Sequence, residues 1–174
     1  MLWLLAPASL LAGSAMFFLL GGMPAVVIFS MLWFDKIVLR TVTLAILGIE
    51  LTTISTILIG MAFGSVTGFI LAIVLIPVLE GVKMMIVPMP SEVPPFVPTP
   101  YHLLDGLVAA AAPLLLWLPF YAVVAALLAG KLAADATIDT FVFSKPFDVI
   151  SGVTTFVFNI FISWHFGAFL VSLL

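Results

Sequence analysis

The sequence predicts an all-α polytopic membrane bundle of five to six transmembrane helices, a single integral membrane domain over residues 1–174. Three observations carry that expectation. Of 174 residues, 65% are hydrophobic and only 7% charged, whereas a soluble domain needs about 25% charged side chains to cover its surface. Four stretches, 1–34, 51–79, 106–130 and 149–174, contain no Asp, Glu, Lys or Arg, and a spanning helix needs about 20 such residues. Between them fall glycine and proline signals that end helices.

Each element follows from those signals. As one helix, residues 1–34 would be about 50 Å long, more than a hydrocarbon core of about 30 Å can hold. Gly21-Gly22-Met23-Pro24 divides them into helix 1, about 2–20, and a short helix 2, about 24–39, that is tilted or re-entrant. No basic segment precedes the first apolar run, so a retained helix is expected there rather than a cleaved signal. Asp35, Lys36 and Arg40 mark a water-facing end. Helix 3 is expected over 41–62 and helix 4 over 65–87. Gly60, Gly64 and Gly68 repeat every four residues across the turn between them, a spacing that lets helix backbones approach closely.

Six of the twelve prolines lie between Pro88 and Pro100, so this segment is expected to be an extended, partly polyproline-like loop. It is a stiff connector or, given apolar Phe96 and Val97, a lid or docking strand. Helix 5 is expected over 102–129, kinked at Pro113 and Pro119. A polar loop follows over 131–148, then helix 6 over 148–174. With six spans, Lys36, Arg40 and Lys83 fall on the side of both termini, opposite Lys131 and Lys145.

Glu50 stands out. In the expected helix 3 it lies near the bilayer centre, where a carboxylate costs roughly 2.5–3.5 kcal/mol. Such a group faces the protein interior, with a partner, an ion or a ligand. Thr53, Ile57 and Gly60 share its face. On helix 6, Asp148, Ser151, Thr155, Asn159 and Ser163 form a second polar row, either interhelical glue or a cavity wall. Glu80 and Lys83 are spaced as an ion pair. His102 and Asp105 share a face beside the proline-rich loop and are expected to be exposed residues at a helix start, the alternatives being a pair or part of a loop-covered site. His165 is expected at the membrane interface.

Other classes lack their parts. The net charge is −3 and the one arginine is Arg40, so a nucleic-acid surface is not expected. With no cysteine and two histidines, neither a metal site nor another cofactor is expected. HExxH, GxSxG and P-loop motifs are absent, and no lysine is expected mid-helix to hold a Schiff base. Catalysis is not expected.

The run Gly48-Ile49-Glu50-Leu51-Thr52-Thr53, continued by Ile59-Gly60-Met61-Ala62-Phe63-Gly64 and Gly68, resembles the substrate-binding S components of energy-coupling-factor transporters over residues 41–80. The resemblance implies a six-helix protein of this size that captures a solute and relies on partner subunits for energy. In that family an AxxxA pattern on the first helix contacts the coupling subunit, and Ala8 and Ala12 match it. Arg40, Gly48-Ile49-Glu50-Leu51 and Glu80 are also similar to small three-helix membrane subunits of the complex I and cation-antiporter group, which would make Glu50 and Glu80 an ion path.

The expected function is therefore a solute-binding transporter subunit of the cell membrane. Glu50, Thr53, Asn159 and Ser163 would hold the solute, and other membrane subunits or a second copy would be partners. A proton- or cation-translocating subunit and a purely structural membrane subunit are the alternatives.

Overall fold

A computed structural model describes residues 4–41, 48–87 and 96–174. Among these it holds six α-helices and no strand: α1 (Leu5–Trp33), α2 (Thr52–Phe63), α3 (Ser65–Ile86), α4 (Pro100–Ala111), α5 (Phe120–Phe141) and α6 (Val149–Ser172). The all-α expectation holds. Four helical stretches, Leu5–Leu39, α3, α5 and α6, are long and apolar enough to cross a membrane.

The glycine pair breaks α1 where the sequence places the break. Gly22 has φ +67°, a left-handed conformation that a side chain disfavours, and Gly21 is also non-helical. The two limbs fold against each other. Trp33 Nε1 donates to Ser9 Oγ at 3.0 Å, and the Phe17 and Phe29 rings stack at 4.9 Å. On an unbroken helix residues 9 and 33 would stand about 36 Å apart. The second limb ends in a π-helical turn, Phe34–Leu39.

Helix α2 is the centre of the bundle, with every residue from Thr52 to Gly60 buried. Its start corrects the expected helix 3: residues 42–47 lie outside the described part, Gly48 is a turn, and the helix begins only at Thr52. Gly48 has φ +76°, and a Cβ there would come within 2.3 Å of the Ser151 carbonyl oxygen on α6. Asp35 anchors the helix start from the neighbouring limb. Its Oδ1 accepts the Leu51 N–H at 2.6 Å and its Oδ2 accepts the Thr52 hydroxyl at 2.5 Å. A carboxylate belongs there, because the first turn of a helix has unpaired N–H groups and a positive dipole end.

The glycine series does what its spacing suggests, and more. A Cβ on Gly68 would lie 2.8 Å from Gly60 Cα, so α2 and α3 touch through bare backbone. One on Gly60 would lie 1.9 Å from the Ala109 carbonyl oxygen on α4. Gly60→Ala should therefore destabilise the protein by about 1–3 kcal/mol, the range of core overpacking. Thermal unfolding in detergent checks this, and an unchanged midpoint would refute the close α2–α4 contact.

The expected helix 5 is corrected too. Instead of one kinked helix, α4 continues into a 3₁₀ turn, Ala112–Leu115, and the chain reverses before α5 starts after Pro119. Proline has no N–H to donate and disfavours helix in the residue before it. Helix α5 then runs on to Phe141, through the segment expected to be a polar loop. It returns antiparallel to α4, as the Tyr101–Phe143 ring stack at 5.7 Å shows.

The inside and the outside differ as a hydrocarbon solvent requires. Phe17, Leu32, Ile54, Ile57, Leu58, Ile76, Val123 and Val124 form the core, while Leu19, Val66, Trp117, Phe141 and Ile150 point outward and are largely exposed. Water would not favour so many large apolar side chains on a surface. This is a membrane protein.

Candidate functional site: a charged cavity at one pole

The ends of α1 and α3, the C-terminal half of α5 and the starts of α2, α4 and α6 enclose a cavity of about 490 Å³. The sequence has five basic and eight acidic residues. Four of the basic ones (Lys36, Arg40, Lys131, Lys145) and six of the acidic ones (Glu50, Glu80, Asp105, Asp135, Asp139, Asp148) line this cavity. The expected division of the lysines between two membrane faces is thus wrong. The extra reversal between α4 and α5 brings Lys131 and Lys145 to the pole that holds Lys36 and Arg40.

Glu80 is the hub on the α3 side. It pairs with Lys36 at 3.0 Å, Arg40 at 3.5 Å and His102 at 3.0 Å. The expected Glu80–Lys83 pair is not the one formed, and His102 and Asp105, expected to be exposed at a helix start, are buried and line the cavity with different partners. His102 Nδ1 accepts the Thr99 N–H at 2.9 Å, and an N–H can only donate. Nδ1 therefore carries a lone pair, and Nε2 carries the proton that it donates to Glu80. The helix start thereby fixes a neutral tautomer.

Lys131 is the hub on the α5 side, and it corrects the expectation that no lysine lies mid-helix. It sits midway along α5, about 15 Å from the C-terminal end of that helix, with only 10% of its side chain exposed. Its ammonium lies 3.1 Å from Asp105, 3.9 Å from Glu50 and 4.0 Å from Asp135. The sequence does carry a signal for it. Lys131, Asp135 and Asp139 recur every four residues in an alanine-rich run without proline, which is the pattern of one helix face.

Glu50 points inward as expected, but from the turn before α2 rather than from mid-helix. It joins the two hubs, with Arg40 at 4.0 Å and Lys131 at 3.9 Å. Burial pushes its carboxyl up, yet Lys131, Arg40 and Lys36 together outweigh burial and hold it below its ordinary range. At the cavity mouth Lys145 pairs with Asp139 at 3.0 Å, and Tyr101 donates to the same carboxylate. Asp139 and Tyr101 in turn raise the Lys145 ammonium above its usual value.

The other expected site residues divide. Thr53 is buried with its hydroxyl 3.5 Å from Glu50. Asn159 and Ser163 are buried but do not line the cavity. Asn159 donates to the Glu50 backbone carbonyl at 3.2 Å and to the Thr155 carbonyl at 2.9 Å, so it positions the Glu50 turn against α6. The upper part of the α6 row, Asp148, Ser151 and Thr155, does line the cavity, and Asp148 also caps the helix through the Ser151 N–H. Ala8 and Ala12 lie on the exposed outer face of α1, where lipid or another subunit can reach them. His165 is exposed beside Phe161, away from the cavity.

Most of the proline-rich segment lies outside the described residues. Its end, Phe96 and Val97, borders the cavity, and the Phe96 ring fills the space left by the missing side chain of Gly81. Among the described residues no group of His, Asp or Glu is arranged to hold a metal ion. Comparisons with protein-family models, with curated proteins and with solved structures give no match.

Proposed function

We propose that this chain is a multi-pass protein of the cell membrane that binds a small polar solute as the specificity subunit of a transporter. One observation carries the reading: nearly all of the charge in a very apolar chain is gathered around one cavity that reaches mid-bundle. Ionisable groups are costly in a membrane and are kept where they face water, each other or a ligand. A volume of about 490 Å³ suits a small molecule. In this reading Glu50 and Lys131 contact the solute, Thr53 and Asn159 position Glu50 from behind, and the Phe96 segment borders the entrance. Partner subunits supply energy, since the sequence has no nucleotide-binding motif, and the Ala8–Ala12 face is available to them or to a second copy.

The ion-path alternative fits less well. Arg40 stands between Glu50 and Glu80, and a fixed cation there opposes proton transfer between them. Beyond them Ile57, Leu58, Ile76, Leu79 and Ala109 are buried and none borders the cavity, and the buried Thr56 hydroxyl is taken up by carbonyls of its own helix.

Native mass spectrometry of the detergent-purified protein should find a small molecule bound, and Glu50→Gln should reduce its retention about tenfold, as for loss of one charge-assisted contact. A wild-type protein that carries no solute and gains no thermal stability from a broad metabolite panel would end this proposal.

A further inference from the structure

Resting on the solute-binding reading above, the charge balance of the inner cavity points to the solute's class: we infer that it carries an ammonium or similar small cationic group, held by Asp135 with Asp105. The inner wall holds three cations, Lys36, Arg40 and Lys131, against four carboxylates, Glu50, Glu80, Asp105 and Asp135. His102 adds no charge in its capped tautomer. At the mouth, Lys145 answers Asp139, and Asp148 is engaged by the Ser151 N–H. One inner carboxylate is in surplus.

The distances identify it. Glu80 has Lys36, Arg40 and His102. Glu50 has Arg40, Lys131 and the Thr53 hydroxyl. Asp105 has Lys131 at 3.1 Å. Among the described residues Asp135 has only that same lysine, at 4.0 Å and already shared among three carboxylates.

Two buried carboxylate oxygens of the cavity wall, Oδ1 of Asp135 and Oδ1 of Asp105, have no well-aligned hydrogen-bond donor among the described residues, the latter being approached by Lys131 at 3.1 Å off the bonding direction. The Asp105 side chain is only 4% exposed, and both residues line the cavity. Asp135 keeps 16% of its side chain open. A buried carboxylate without its donors is unfavourable. A ligand ammonium has three donors, which both oxygens lack, and a positive charge that offsets the surplus carboxylate.

The test is thermal stabilisation and calorimetric binding on the full-length detergent-solubilised protein, with 1,4-diaminobutane, propylammonium, succinate and glucose as probes. The amines should stabilise the wild type and the other two should not. Asp135→Asn should weaken amine binding at least tenfold, while Asp135→Glu retains most of it. Without any amine, Asp135→Asn should leave the thermal midpoint unchanged or raise it, because it removes a carboxylate whose one distant ammonium is already shared with two others. A merely structural Asp135 would give the opposite sign. Stabilisation by succinate alone, or a loss of stability in amine-free Asp135→Asn, overturns this inference and leaves solute binding standing. Failure of every probe, together with no solute in the purified protein, removes both.

Discussion

Lys131→Met should be among the most damaging single substitutions in the protein, lowering its stability by about 3–5 kcal/mol, the cost of breaking a buried ion cluster from one side. Among the described residues the ammonium is the one cation within 4.0 Å of Asp105 and Asp135, and one of two for Glu50. Methionine preserves the side chain's bulk, so the loss measures charge and not packing. The thermal midpoint should fall on the order of 10 °C. The double variant Lys131→Met with Asp105→Asn should recover part of that fall, since it removes charge of both signs. If the single variant melts like the wild type, the cluster is not the closed, low-dielectric network that the geometry describes.

Glu80→Gln is the second large effect, again about 3–5 kcal/mol. Lys36 is only 2% exposed and has Glu80 as its ion-pair partner at 3.0 Å. The substitution leaves that buried ammonium without its ion-pair partner and also takes a carboxylate from Arg40. His102 can still donate to the amide oxygen, so the start of α4 is preserved. A double-mutant cycle separates the pair from its surroundings. Lys36→Met and Glu80→Gln should each destabilise alone, and the double variant should lose clearly less than their sum. Additive losses would show that Lys36 and Glu80 do not act as a pair. Because Lys36 and Arg40 belong to the end of α1 and Glu80 to α3, the pairs also fasten the first hairpin to the rest of the bundle.

The two hubs have a common logic. Each gathers charges from helices distant in the chain, and Glu50 and Arg40 connect them. The bundle thereby keeps its ionisable side chains on one another and on the cavity, and none of the residues that line it has to face lipid. That arrangement stabilises the fold and forms the candidate site with the same side chains. Substitutions in the hubs will therefore affect both, whereas Asp135, in surplus, is where binding and stability should separate.

Much was legible in the residues themselves. The apolar composition and charge-free runs determined an all-α membrane protein, because a hydrocarbon solvent requires internally bonded backbone. Gly21-Gly22 marked the first hairpin, and Gly60 and Gly68 marked a close helix contact, since both depend on backbone freedom or bulk over a few residues. Glu50 was rightly singled out as inward-facing, but Gly48, the residue that ends the preceding segment and sets the Glu50 turn, was read as part of a helix. Lys131 does not emerge as a site residue from the sequence because the expected helix 5 stops at residue 129, just short of it, whereas α5 continues to Phe141.

Which charges meet was decided only by the tertiary structure. A helical period says which side chains share a face, but not which face of which helix it will oppose. That depends on how many times the chain reverses, and the single reversal around Pro113 and Pro119 moves every later residue to the other end of the bundle. It converts Lys131, Asp135, Asp139 and Lys145 from the far side of a membrane into partners of Glu50, Asp105 and Tyr101. Pairing is set by distance in space, through Coulomb interactions that act over a few ångströms, and no spacing along the sequence encodes it.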